Sequence, residues 1–310
     1  MHPALSIIVF TTLSGMGYGL AALLGLGLFD PAALATKIGY VLALALIAGG
    51  LVSSTLHLGN PQRAWRALSQ WRTSWLSREG VLAILAFIPL TICAYAAIFH
   101  DRHLILPGLA AAGLGLVTVY CTAMIYGSLK TVQLWSQRLT PVTYLLFALA
   151  SGATLGTLLA VSGAAQPWLI AFLAVSFTVA AWLAKRRWRN DGKALAPLST
   201  PETATGLGSI GRVRLFERPH INDNYLTREM GFQVARKHAD KLFGIAILLG
   251  GLIPAALVVV AALAAGAMGP GLTAFLAAFL AVLSHYAGVF VERWLFFAEA
   301  RHAVMNYYGR

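Results

Sequence analysis

Charge is scarce in this chain. Only 11% of its 310 residues are Asp, Glu, Lys or Arg, against about 25% in an average soluble domain. A soluble fold of this length cannot cover its surface with so few charges, because folding buries only part of the chain. Acidic residues are the scarcer sign: 11 Asp and Glu stand against 23 Lys and Arg, a formal net charge of +12. Such an excess would suit a nucleic-acid partner, but 58% of the residues are hydrophobic. Together these figures exclude an ordinary cytosolic enzyme, a disordered chain and a DNA-binding domain. Cysteine is scarcer still. Cys93 and Cys121 both lie in apolar runs, with no CxxC or CxxxC spacing. The protein therefore cannot ligate an iron–sulfur cluster or a structural zinc by itself, nor build a disulfide framework. The two read as small buried hydrophobes.

What is abundant is apolar sequence in long runs. A bilayer core needs about 20 apolar residues in helix, and eight runs qualify: 4–27, 34–56, 79–99, 105–128, 141–162, 167–184, 242–265 and 270–297. The runs are continuously apolar and do not alternate, which indicates helices and not a barrel. Met1-His2-Pro3 carries no Lys or Arg, and the first run exceeds a signal-peptide core, so it reads as a retained helix. The expected fold is all-α, a polytopic integral membrane protein with eight transmembrane helices, residues 1–310 forming one membrane domain. Glycine clusters such as Ser14-Gly15-Met16-Gly17-Tyr18-Gly19, Gly25-Leu26-Gly27 and Gly113-Leu114-Gly115 lack the flanking strand of a dinucleotide fingerprint. They read as sites of close helix–helix contact. No internal repeat stands out.

The positive charge sorts by side. With eight spans, both termini share one side with the loops 57–78, 129–140 and 185–241. That side holds 21 of the 23 Lys and Arg; the other keeps Lys37 and Arg102. The positive-inside rule then puts both termini and these loops in the cytoplasm, with anionic lipid headgroups as a further partner for the same charges. The spans carry almost no ionisable residue at mid-depth, which argues against a secondary transporter or a transmembrane proton path. His285 is the one titratable group deep in a span. A bridging haem would need a second histidine at matching depth, and His57 lies near the cytoplasmic end of span two while His285 is about 18 Å from the end of span eight. His285 therefore reads as a satisfied core histidine.

Polar chemistry concentrates in Ser53-Ser54-Thr55-Leu56-His57-Leu58-Gly59-Asn60-Pro61-Gln62-Arg63-Ala64-Trp65-Arg66 and on through Trp71-Arg72-Thr73-Ser74-Trp75-Leu76-Ser77-Arg78-Glu79-Gly80. Gly59-Asn60-Pro61 should end span two. A short helical turn carrying Trp65, Trp71 and Trp75 should lie at the membrane surface. Ser77 fits the N-cap of span three, with Arg78 and Glu79 in its first turn. His57 and Glu79 then share one membrane level on neighbouring helices. An imidazole beside a carboxylate in an apolar rim suits a lipid-soluble quinone, whose two-electron reduction takes up two protons. The alternative is a carboxylate favoured by the helix macrodipole beside a plain interfacial histidine.

This segment resembles the membrane anchor subunits of the dimethyl sulfoxide reductase family, most closely those of cytoplasm-facing sulfite dehydrogenases. The resemblance rests on eight spans at this length, on Ser-Thr-Leu-His-Leu-Gly-Asn-Pro followed by Arg-Ala and Leu-Ser-Arg-Glu, and on Asn222-Asp223-Asn224-Tyr225-Leu226-Thr227-Arg228-Glu229-Met230-Gly231-Phe232. It implies a subunit that supplies a quinone site (ubiquinone or menaquinone) and binds no haem. It implies two partners, a catalytic subunit with molybdenum on a bis-pterin cofactor and a subunit with four iron–sulfur clusters. The family's site histidine and carboxylate map onto His57 and Glu79, with Arg63, Arg66, Trp71 and Arg78 as further candidates for headgroup binding or docking. With its basic site face in the cytoplasm the sequence looks more like the sulfite dehydrogenase branch, and that resemblance implies electron flow from sulfite to quinone at a bacterial inner membrane. A quinol-oxidising anchor is the alternative, and a secondary transporter the alternative of another class.

The loop 185–241 is too long for an idle connector. Lys185-Arg186-Arg187-Trp188-Arg189 reads as a stop-transfer flank, 196–211 as irregular chain, and 231–241 as an amphipathic lead into span seven. Its arginines suit an acidic partner surface. Tyr120 and Tyr126 read as packing residues near the site, and no histidine spacing marks a metal.

Overall fold

The computed structural model describes residues 3–56, 60–197, 199–217, 222, 230 and 238–308. Eight helices are long and apolar enough to cross a membrane: α1 (Leu5–Gly25), α2 (Leu34–Thr55), α3 (Trp75–His100), α4 (Ile105–Gly127), α5 (Leu139–Ala164), α6 (Pro167–Ala194), α7 (Ala239–Met268) and α8 (Leu272–Ala298). Every apolar run in the sequence has become one helix. The fold is all-α, and among the described residues there is no strand. That follows from the solvent: in hydrocarbon each backbone polar group must be satisfied within its own segment.

The helices pack as two four-helix halves. In the first, α1 meets α2 and α4, and α3 meets α2 and α4; in the second, α5 meets α6 and α8, and α7 meets α6 and α8. The halves join through α1 and α5, and these two helices are the most deeply buried. Backbone contact makes the join possible. A Cβ on Gly19 of α1 would fall on the Ala148 carbonyl of α5, and one on Gly152 of α5 would fall on the Gly19 backbone. The α1–α4 and α7–α8 crossings repeat the device with Gly25 against Gly108 and Gly250 against Gly288. Small residues are what allow helices to associate in lipid, where no hydrophobic drive separates helix from tail. Gly113, grouped with these in the sequence, faces open space.

Three helix boundaries differ from the sequence reading. α3 starts at Trp75, one turn before the apolar run, and its cap is Ser74, whose Oγ accepts from the Ser77 N–H at 3.4 Å. Ser77 lies in the first turn and is buried. Both serines fit the capping pattern, and the earlier one leaves Trp75 helical against Tyr120 of α4 at 5.9 Å. α6 continues through Lys185–Arg189 to Ala194, where Lys185 pairs with buried Glu292 and Arg189 with Glu299. Within 196–211, Pro201–Thr205 forms one helical turn closed by a Thr200/Thr203 capping box. Most of the Asn222–Phe232 stretch and the 231–241 lead lies outside the described residues.

The two membrane faces differ in charge. On the sparse face Lys37 pairs with Asp101 at 2.6 Å, and Asp101 closes α3 in a left-handed conformation with φ 53°. On the basic face a cleft of about 580 Å³ opens between the ends of α4 and α6, the start of α7 and the C-terminal segment; Lys130, Arg189, Asp240, Glu299 and His302 line it.

Candidate functional site

Between α2 and α3, residues Pro61–Gln70 wind as a 3₁₀ helix. Trp65 and Trp71 are exposed on this connector, as interfacial anchors are. Its return into α3 is held by Arg78. The guanidinium donates to the carbonyls of Trp71 (3.0 Å) and Arg72 (2.6 Å) and lies 4.3 Å from the Trp75 ring centroid. Arg78 is thus a strut for the connector. Gly80 serves the same packing: a Cβ there would press on the Leu68 side chain, so the surface helix lies directly over the first turns of α3.

The residue after Arg78 in α3 is Glu79. It is 5% exposed and lies about 6 Å along the helix from Trp75. The Thr122 hydroxyl of α4 donates to its Oε1 in a short hydrogen bond. No Lys or Arg pairs with Glu79 among the described residues. A buried carboxylate without a cation is costly, and such groups inside membranes are functional by default.

The sequence candidates therefore divide. Glu79, Arg78 and Trp71 come together, with Arg78 tied to the Trp71 carbonyl. Arg63 and Arg66 stand exposed on the surface helix, Arg66 over the Trp65 ring at 5.6 Å. His57 lies outside the described residues. Tyr126 is packed among Trp135, Tyr144, Phe296 and Phe297. Thr122 was not singled out in the sequence; the signal was there, since Thr118 and Thr122 repeat at helical spacing in an apolar run and share one face.

His285 is fully buried. Its Nδ1 lies 2.8 Å from the Gly250 carbonyl and its Nε2 3.0 Å from Ser151 Oγ, so Nδ1–H donates to the carbonyl and Nε2 accepts from the serine. It is a satisfied core histidine joining α5, α7 and α8. Cys93 and Cys121 are buried and unpaired by disulfide. No group of His, Cys, Asp and Glu among the described residues could hold a metal ion.

The largest group of buried charges among the described residues joins Lys185, from the flank read as stop-transfer sequence, to α8. Lys185 of α6 pairs with Glu292 of α8 at 2.6 Å, and Arg293 lies 3.3 Å from the other carboxylate oxygen. All three side chains are essentially inaccessible. Lys185 Nζ sits 3.6 Å over the Trp188 ring and the Arg293 guanidinium 3.8 Å over Tyr144. One turn further along α6, Arg189 binds Glu299 and Asp240.

The sequence matches the family model of the DMSO reductase anchor subunit (DmsC) over residues 1–298. It belongs to that family. Among curated relatives it is 32% identical to the C subunit of the sulfite dehydrogenase of Allochromatium vinosum, over 99% of both proteins. It is 29% identical to the C component of the anaerobic dimethyl sulfoxide reductase of Escherichia coli K12, over 40% of this protein and 44% of the relative. No solved structure matches. The protein is thus a membrane anchor subunit associated with an oxidoreductase complex, as the residues around His57 and Glu79 implied.

Proposed function

We propose that this anchor carries the quinone site of a molybdenum–iron–sulfur oxidoreductase and passes electrons from sulfite oxidation to ubiquinone or menaquinone. The observation that carries the reading is Glu79, a carboxylate buried at the membrane rim with a hydroxyl donor and no cation partner among the described residues. A quinone brings a two-electron acceptor whose carbonyl oxygens need hydrogen-bond donors and, on reduction, protons. The residues present fit that need. Glu79 holds or gives a proton at its carboxyl oxygen, and Thr122 fixes the carboxyl by donating to Oε1. The Pro61–Gln70 helix with Trp65 and Trp71 covers the rim and limits water. His57 is assigned the second donor. Arg63 and Arg66 are assigned to headgroups or docking, and Arg78 to holding the cover in place.

The choice of sulfite rests on the relative matched over its full length and on the charge asymmetry. The basic face carries the site, the cleft and the 185–241 segment, and is assigned to the cytoplasm. The iron–sulfur and molybdopterin subunits would dock there. Ile210 and Phe216, 83% and 100% exposed on that segment, suit a protein contact. In the assembled complex Glu79→Gln and His57→Ala should each lower quinone reduction at least about tenfold, the loss of roughly one hydrogen-bonded proton-transfer contact in the transition state. Full turnover in both variants would overturn the assignment. The second reading is quinol oxidation, favoured by the match to the dimethyl sulfoxide reductase component. Assaying the complex with sulfite and quinone, and separately with quinol and sulfoxide, separates the two.

A further inference from the structure

Resting on that reading of Glu79, we propose that the Lys185–Glu292–Arg293 cluster and the Tyr144 hydroxyl form the route by which protons reach Glu79 from the basic-face cleft. The cluster is the main buried charge that the quinone site leaves unused. It sits about 9 Å along α8 from the helix end at Ala298, on the same face of the membrane as Glu79.

The groups follow one another from the cleft toward Glu79. At the entry, Arg189 and Glu299 line the cleft and pair with each other. Lys185 lies one turn inward from Arg189 on α6, about 6 Å along the helix. Lys185 holds Glu292 at 2.6 Å. Arg293, 3.3 Å from the other Glu292 oxygen, stacks on the Tyr144 ring at 3.8 Å. Tyr144, Arg293, Thr12, Ser14, Ser151 and Thr122 line one cavity between α1, α4, α5 and α8. It has about 10 Å³ of water-accessible space, room for about one water molecule in a polar setting. The Tyr144 hydroxyl has no protein hydrogen-bond partner among the described residues. Thr122, at the far wall, is the donor to Glu79.

The charged groups against Glu292 are Lys185 from α6 and its neighbour Arg293, with Tyr144 of α5 under Arg293. Glu79 is met by the Thr122 hydroxyl of α4. The transfer balances in protons alone. Glu79 gives one proton to the ligand oxygen and is left as carboxylate. Lys185 passes a proton to Glu292, and Glu292 passes it through the cavity water beside Tyr144 to Glu79. The neutral Lys185 amine is recharged from the cleft one turn away, where Arg189 and Glu299 stand on the wall. One pass moves one proton inward, and two passes match the two electrons delivered by one-electron iron–sulfur carriers of the partner.

The test follows the carboxyl itself. The full-length protein in nanodiscs receives a pH jump, and the infrared carboxyl bands are assigned to Glu79 by their loss in Glu79→Gln. Tyr144→Phe keeps the ring under Arg293 and removes only the hydroxyl; Lys185→Met removes the entry group; Ser162→Ala, exposed at the opposite face, is the control. Relaxation of the Glu79 band should slow about tenfold in the first two, a loss of one hydrogen-bonded link, and stay unchanged in the control. Slowing of less than about threefold in both, under a barrier change too small to be such a link, overturns the route, as does the lack of any Glu79 relaxation in the unsubstituted protein. In the complex, azide as a small proton carrier should restore the turnover of Tyr144→Phe, and failure to restore it counts against the route. Failure of the quinone reading is separate: Glu79→Gln would then leave turnover unchanged whatever the relaxation rates.

Discussion

Replacing Glu292 by Gln should be the most damaging single change in the buried cluster, and replacing Lys185 by Met the mildest. The cluster holds two cations and one anion, with Lys185 at 2.6 Å and Arg293 at 3.3 Å from the Glu292 oxygens. Removing one partner of a buried pair costs about 3–5 kcal/mol, because the opposite charge is left buried without compensation. Glu292→Gln strands both cations facing each other and belongs at the upper end of that range. Lys185→Met leaves one anion with one cation, so its cost falls below about 3 kcal/mol. At roughly 2–4 °C per kcal/mol for a protein of this order of size, Glu292→Gln should lower the unfolding midpoint by on the order of 10 °C or more. The assay is thermal unfolding of the detergent-purified protein by near-ultraviolet circular dichroism. Lys185→Met/Glu292→Leu/Arg293→Met removes all three charges and should recover most of the loss, since apolar replacement of a buried ionic cluster is often neutral or better. If Glu292→Gln unfolds no lower than Lys185→Met, the three side chains are not sharing one buried anion and the reasoning fails.

Other consequences can be checked on the same preparation. Gly19→Val drives a side chain into the Ala148 carbonyl and should destabilise by about 1–3 kcal/mol or more; Gly113→Ala, facing open space, should gain up to about 1 kcal/mol from helix propensity. Equal midpoints for the two glycine variants would contradict the α1–α5 join. Thr122→Val keeps shape and removes the donor to Glu79; quinone turnover in the complex should fall by about tenfold or more, the worth of a hydrogen bond to a charged group, with assembly intact. His285→Ala should destabilise by about 2–5 kcal/mol through a cavity and two lost hydrogen bonds, with no change in the visible spectrum of the complex. Trypsin added to inside-out membrane vesicles should cleave within 185–241, whereas right-side-out vesicles should protect it; the reverse would invert the proposed orientation.

Composition alone settled the class of this protein. Eleven per cent charge and eight apolar runs leave few solutions in a solvent that satisfies no backbone groups, and every run became a helix. The residues flanking Glu79 were legible as a family segment, because a carboxylate, arginines and tryptophans at a helix start make a local pattern. What local pattern could not supply was partnership across the bundle. Lys185 looks like the first residue of a basic flank when read along the sequence, since its partner Glu292 lies more than a hundred positions away. Only the crossing of α6 and α8 turns both into buried charges. Thr122 is likewise one hydroxyl among many until α4 lies beside α3 and directs it at Glu79. Membrane position is written in sequence because transfer free energy acts residue by residue. The charge network is a tertiary property, because Coulomb and hydrogen-bond energies depend on distances that only helix packing sets.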